Sequence, residues 1–307
     1  MKVIILGGNG FIGKNVTALF AHDTSYEVFS ASRKNGLDLT DYQCTKKYFT
    51  GLNPDIIVNL AAHTGSIHYV TKYAADVIHD NILMPLNLYR VIAQACPQAN
   101  VINVLSNCSY PGEAELQKEK EWLDGEVHDS ILAYGSAKRA LYAISRCYEK
   151  QYGVKTAHVL APNVYGPGDH VDPNKTHALN GMIMRMIKIK RENKNEFEVW
   201  GTGMPMREWI YVADIANIIK SLCVRNMELS YPVNVAQKKG WSIKETAEII
   251  ADMLGYKGSI LFNTSYADGA MKKILDNTEF TKHFPDFSFT DFREGIKNTI
   301  HYYESVI

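Results

Sequence analysis

The chain has 307 residues, of which 46% are apolar and 21% charged, and its 33 basic and 33 acidic side chains cancel to zero formal charge. That balance excludes a global electrostatic grip on nucleic acid or an anionic membrane surface, and the length allows one large domain or two unequal lobes sharing a core. The five cysteines, at positions 44, 96, 108, 147 and 223, lack metal-type spacing, so no metal site is expected and a reducing cytoplasm fits better than a disulfide framework.

Lys2 to Leu6 is a short run rich in β-branched residues, expected as a strand buried on both faces. It is too short for a signal peptide, and nowhere does an apolar run approach the ~20 residues of a membrane helix. Gly7-Gly-Asn-Gly10-Phe-Ile-Gly13 follows at once, and the residues from Lys14 have helical apolar spacing. A glycine turn between strand and helix lets backbone approach a pyrophosphate, which then sits at the helix N-terminus. A dinucleotide is the expected ligand, although the spacing is G-x-x-G-x-x-G.

The second strand, from Tyr26, runs out into Ser32-Arg33-Lys34 with no carboxylate. A carboxylate there would repel a 2'-phosphate, whereas Arg33 or Lys34 could pair with one, so the reading leans to NADP. Asp38 is a candidate partner for the adenine amino group. Asp55 to Gly65 reads as a further buried strand ending in small residues, Asp80 to Cys96 as a helix, and Val101 to Gly112 as a strand breaking at a Ser/Asn/Cys cluster. Ligands lie beyond the carboxyl ends of strands in an open α/β sheet, which puts Ser106 and Cys108 where chemistry would occur.

Leu132 to Gly153 reads as a helix carrying Tyr134 and Lys138. Four residues apart, the two side chains share one helix face, and an ammonium beside a phenol favours the phenolate. Such a tyrosine can pass a proton to a carbonyl oxygen while a hydride reaches its carbon. The alternation of strands and helices predicts an α/β protein with a Rossmann-type, doubly wound parallel sheet over residues 1–165. Beyond Pro162, Gly166 and Pro167 the pattern changes. A smaller C-terminal α/β lobe for substrate is expected over 166–307, with a segment near 206–236 returning to the nucleotide domain.

These motifs agree in order and spacing with a known family. Ser106-Asn-Cys-Ser-Tyr-Pro111, Asn163-Val-Tyr-Gly-Pro167, Pro173-Asn-Lys-Thr-His177 and Trp200-Gly-Thr-Gly-Met-Pro-Met-Arg-Glu208 resemble the extended short-chain dehydrogenases/reductases, in the sugar-nucleotide epimerase/dehydratase branch that includes the GDP-L-fucose synthases. The resemblance implies an NADPH-dependent oxidoreductase acting on a GDP-4-keto sugar, with epimerisation at C3 and C5 before reduction at C4. It implies Ser106, Tyr134 and Lys138 as the reductase set, and Cys108 and His177 as base and acid of epimerisation. Gly7, Gly10, Phe11, Ile12, Gly13, Arg33, Asp38, Leu39, Ala61, Asn163 and Val164, with Tyr134 and Lys138, fall at cofactor positions. Arg185, Trp200, Arg207 and Lys273 fall at positions that hold the GDP portion.

The chemistry agrees with those roles. A 4-ketone acidifies its neighbouring C–H bonds, and a thiol and an imidazole can exchange those protons near neutral pH. Three places depart from the family pattern: His63-Thr-Gly-Ser-Ile-His-Tyr69, Asn107, and Asn180-Gly181. All are expected around the sugar, which leaves a 6-deoxyhexose or a heptose open. A pure 4-ketoreductase and a non-catalytic NADP-binding regulator are the alternative readings. The intact Ser106, Tyr134 and Lys138 argue against the second of these. A homodimer through the helices near 82–96 and 134–150 is what the resemblance implies for assembly.

Overall fold

The computed structural model describes every residue except 22, 174, 226–228, 230 and 267. Asn174, within the Pro173–His177 motif, and part of the segment expected to return therefore lie outside the described residues. Among those described, the strands are β1 (Lys2–Leu6), β2 (Glu27–Ala31), β3 (Ile56–Asn59), β4 (Asn100–Ser106), β5 (Thr156–Ala161), β6 (Asn163–Tyr165), β7 (Glu196–Trp200), β8 (Met206–Arg207), β9 (Trp209–Tyr211), β10 (Val233–Asn234), β11 (Trp241–Ser242), β12 (Ser259–Asn263) and β13 (Lys272–Lys273). The helices are α1 (Phe11–Phe20), α2 (Tyr42–Phe49), α3 (Ile67–Lys72), α4 (Ala74–Ala95), α5 (Leu132–Tyr152), α6 (Ala178–Arg191), α7 (Val212–Arg225), α8 (Ile243–Leu254), α9 (Thr278–His283) and α10 (Phe292–Val306). No helix among the described residues is long and apolar enough to cross a membrane.

Six strands form one sheet in the order β10-β5-β4-β3-β1-β2, and every pairing within it is parallel. Both faces are covered, as the uninterrupted apolar runs require. Val3 and Ile5 of β1 point into a core shared with α1 and α7, while Ile4 and Leu6 point into a second core shared with α2, α4 and α5. Strand β4 divides in the same way, with Ile102 and Val104 on the first face and Val101 and Leu105 on the second. The period of two along each strand thus sorts one chain between two helical layers.

The chain leaves β1 towards β2 on one side and then crosses to β3 on the other, so the carboxyl ends of β1 and β3 flank a topological switch point. Outside the sheet a third core packs α6, α8 and α10 over Phe197, Val199 and Trp209. It is edged by the β12-β7 pair and the β11-β8-β13 ribbon. The ribbon carries Arg207 and Lys273 towards Cys108, beyond the carboxyl end of β4. One buried carboxylate ties these short elements together. Glu208 is fully buried and accepts from the backbone N–H groups of Gln237, Lys238 and Leu275 at 2.6, 3.2 and 2.9 Å.

Candidate active site

The turn after β1 is built for close approach. Gly7 adopts φ +75°, and a Cβ there would lie 2.9 Å from the Ala61 nitrogen, so the ends of β1 and β3 meet backbone to backbone. A Cβ on Gly13 would lie 2.2 Å from the Gly7 carbonyl oxygen. Gly10 caps α1 with no side-chain hydrogen bond, which leaves the first-turn N–H groups to an outside acceptor. Asn9 spans the turn after β2, donating to Ser32 Oγ at 2.6 Å and Asn35 Oδ1 at 2.7 Å. Arg33 and Lys34 are exposed beside it. Sequence reasoning missed Asn9 and Asn35, whose role depends on two loops meeting. Asp38 accepts from the Thr40 N–H at 3.0 Å and the Thr40 hydroxyl at 2.7 Å, next to buried Leu39. Asn163 donates to the Glu208 carbonyl at 3.2 Å, and Val164 is buried.

Strand β4 ends on Ser106, whose Oγ accepts from the Cys108 N–H at 3.2 Å. Helix α5 lies directly on that turn because Gly135 allows it. A Cβ on Gly135 would stand 2.4 Å from the Cys108 carbonyl oxygen and 2.5 Å from a Val127 methyl. This contact sets Tyr134 and Lys138 beside Cys108, and Tyr134 and Cys108 pack against the same apolar cluster. The Lys138 ammonium lies 5.5 Å from the Tyr134 ring centre and donates to the Val104 carbonyl at 2.9 Å.

Burial shifts both groups. It lowers Lys138 from 10.5 to about 8, with the neighbouring Cys108 opposing the fall. It raises the Tyr134 phenol well above its ordinary 10, the Cys108 charge adding to the rise and a hydrogen bond to Thr64 working against it. The expected drop towards the phenolate is therefore reversed. An ammonium committed to the Val104 carbonyl does not offset the desolvation of the phenol.

On the opposite wall, Lys273 approaches Cys108, its Nζ donating to Sγ at 3.7 Å. Burial lowers Arg207, whose charge also interacts with Cys108 and Asp268, and its Nη2 donates to the Asp268 carbonyl at 3.3 Å. Arg185 lies with its guanidinium 5.2 Å from the Phe197 ring and 4.8 Å from the Trp200 ring, and Trp200 stacks on Tyr266 at 5.0 Å and 20°. Tyr266 was not singled out from the sequence, since its loop has no periodicity to mark it.

His177 caps α6, where its Nδ1 sits 3.1 Å from both oxygens of Asp169 and its N–H donates to Asp169 Oδ2 at 2.9 Å. Its ring is 5.4 Å from that of Phe11, at the start of α1. Burial alone would raise the Asp169 pKa, but bonds from His177 and Asn180 hold it below the usual range. Asn180 is fully buried, donating to Asp169 Oδ2 at 2.9 Å and accepting from the Gly166 N–H at 3.0 Å. It was expected around the sugar. The inward face of α6 makes it a brace for Asp169 instead. Asn107 is buried as well, and its Nδ2 has no hydrogen-bond partner among the described residues.

A parallel sheet with a ligand-ready glycine turn at its switch point, and a tyrosine, lysine and cysteine beyond β4, define a Rossmann-type dinucleotide-binding protein. The chain belongs to the NAD dependent epimerase/dehydratase family, whose model matches residues 3–236. It is 30% identical to the GDP-L-fucose synthase of Escherichia coli (strain K12) over 293 residues, covering 90% of this chain and 88% of that one. It is 29% identical to the GDP-L-fucose synthase of Dictyostelium discoideum, with 98% and 94% covered. Among solved structures it resembles a GDP-L-fucose synthetase from Naegleria fowleri bound to NADP, at 26% identity and a TM-score of 0.86, over 99% of this chain and 94% of that one.

Proposed function

We propose that this protein is an NADPH-dependent epimerase/reductase of a GDP-4-keto sugar. The observation that carries the reading is the convergence of Tyr134, Lys138 and Cys108 at the end of β4, faced by Lys273 and Arg207. The turn fits NADPH, because the space that side chains at Gly7 and Gly13 would fill is kept for backbone, and the N-cap of α1 leaves its donors unspent. Gly7, Gly10, Phe11, Ile12 and Gly13 would hold the pyrophosphate and Arg33 the 2'-phosphate. Asp38 and Leu39 would take the adenine end, and Ala61, Asn163 and Val164 the rest of the length. Bound NADPH supplies the hydride that reduces the ketone carbon.

Tyr134 gives the proton to the ketone oxygen, and its raised pKa keeps it protonated and ready to donate. The Lys138 ammonium and the Ser106 hydroxyl stabilise charge developing on that oxygen. Cys108 removes a proton from a carbon beside the ketone. His177 returns one from the other face, its Nδ1–H held by Asp169 so that Nε2 handles the proton. Arg185, Trp200, Arg207 and Lys273 grip the GDP portion, the guanidinium and ammonium groups pairing with phosphate oxygens. In this reading residues 1–165 carry the cofactor, with a return near 206–236, and 166–307 carry the substrate. The enzyme works in the cytoplasm as a homodimer joined through α4 and α5, on which Leu86 and Tyr152 are exposed.

The test is turnover of a GDP-4-keto sugar with NADPH in deuterated water. The expected result is NADPH oxidation with deuterium at C3 or C5. Cys108→Ser should stop that incorporation, because a serine hydroxyl does not share a proton at neutral pH, yet still reduce a ketone already in the product configuration. A wild-type enzyme that oxidises no NADPH refutes the reading. Reduction with no deuterium on carbon leaves a pure C4-reductase.

A further inference from the structure

Residues 63–69 form a wall of the same site that carries its own polar relay. His63 Nδ1 lies 2.8 Å from Asp80 Oδ2, and His63 Nε2 lies 2.9 Å from the Tyr69 hydroxyl. The imidazole is fixed from both sides of its backbone. The His63 N–H donates to Asn81 Oδ1 at 2.9 Å, and buried Asn81 donates back to the His63 carbonyl at 2.7 Å. His79 reaches the other Asp80 oxygen at 3.0 Å. Partial burial would raise the Asp80 pKa, but the bonds from His79 and His63 keep it below the ordinary value. An ionised carboxylate can only accept, so His63 Nδ1 carries a proton. With that proton on Nδ1, Nε2 is the acceptor of the tautomer and receives the Tyr69 hydroxyl hydrogen bond. The Tyr69 oxygen keeps its lone pairs for an outside donor, and the chain of bonds polarises it towards accepting.

The relay faces the reacting groups. The Tyr69 ring packs against the same apolar cluster as Cys108 and Tyr134, and neighbouring Thr64 hydrogen-bonds the Tyr134 phenol. Ile67, at the start of α3, lies 3.8 Å from where a Cβ on Gly269 would stand, and Arg207 Nη2 is 3.9 Å from the same point. The segment therefore spans from the ketone position towards the phosphate-binding wall.

We infer that Tyr69 is a specificity-determining residue that accepts a hydrogen bond from a C6 hydroxyl of the sugar, with His63 and Asp80 as its positioning residues, so that the preferred substrate is a GDP-4-keto sugar hydroxylated at C6. The inference rests on the function proposed above. A 6-deoxy sugar would present a methyl group to this wall, leaving the outward lone pairs of the Tyr69 oxygen desolvated and without a donor. An apolar wall would serve a methyl better. Sites that bind a hydroxyl discriminate strongly against the analogue lacking it for this reason.

The experiment compares kcat/KM for two GDP-4-keto sugars, one hydroxylated at C6 and one 6-deoxy, followed by NADPH oxidation. It uses the wild type, Tyr69→Phe and Asp80→Asn, with NADPH affinity and thermal midpoint as controls for folding. Wild-type enzyme should prefer the hydroxylated sugar by about 10-fold or more. Tyr69→Phe should remove most of that preference by lowering the hydroxylated sugar relative to the 6-deoxy one, and Asp80→Asn should move it the same way by less. A purely structural role lowers both sugars by one factor, and that result overturns the inference. So does a wild type with no preference, or a preference that survives Tyr69→Phe. If the wild type turns over neither sugar, the proposed function fails, and the inference falls with it.

Discussion

Lys138→Met separates what the buried ammonium does for stability from what it does for activity. In the folded protein burial lowers this lysine from 10.5 to about 8, which corresponds to roughly 3 kcal/mol against folding at neutral pH. Below pH 8 both folded and unfolded states hold the proton, so the cost is paid in full. Between about 8 and 10.5 the unfolded state holds more protons, so stability rises with pH, and above 10.5 the cost is gone. Against it stands the charged hydrogen bond to the Val104 carbonyl, worth about 1.5–3 kcal/mol. Methionine fills a similar volume with neither effect. The variant should therefore match or exceed wild-type stability at pH 7, by about 0–2 kcal/mol. Because wild type alone gains as pH rises, the difference should move against the variant by about 2 kcal/mol between pH 7 and 9.5. Urea unfolding of the apo protein at the two pH values measures it, and NADPH oxidation should fall sharply in the same variant. A variant that loses more than about 2 kcal/mol equally at both pH values would refute the reasoning, because the ammonium would then be a net contributor to the fold.

Tyr134→Phe should reduce turnover by ~10²–10⁴ while keeping NADPH affinity, because only the proton donor is lost; titration of NADPH fluorescence alongside steady-state rates checks it, and more than half the wild-type turnover would be the wrong result. Arg33→Ala should weaken NADPH by about 1–3 kcal/mol and leave NADH nearly unchanged, and equal weakening of both would pass the 2'-phosphate role to Lys34. Gly135→Ala should cost about 1–3 kcal/mol of stability, because its methyl would press on the Cys108 carbonyl, and should depress activity beyond that loss; a variant with unchanged melting and unchanged kcat would show that α5 can shift without disturbing the site.

The glycine turn after β1 and the pairing of Tyr134 with Lys138 were legible in the chain because their requirements are local. Gly7 and Gly13 follow from the steric limits of one turn, and the pairing of Tyr134 with Lys138 on one face follows from the helical repeat. The alternation of strand and helix was likewise enough for a doubly wound parallel sheet, which the structure has. Other features depend on segments that meet only after folding. Cys108 and Lys273 touch across 165 residues of sequence, and no spacing rule reaches that far. Asp169 and Asn180 behind His177, and Asp80 behind His63, are ordinary polar residues until folding brings their distant partners within hydrogen-bond reach. The direction of the Tyr134 shift was decided in the same way. The sequence placed an ammonium one turn away, but the packing of α5 on the Cys108 turn made desolvation the larger effect, and desolvation is a property of the assembled site.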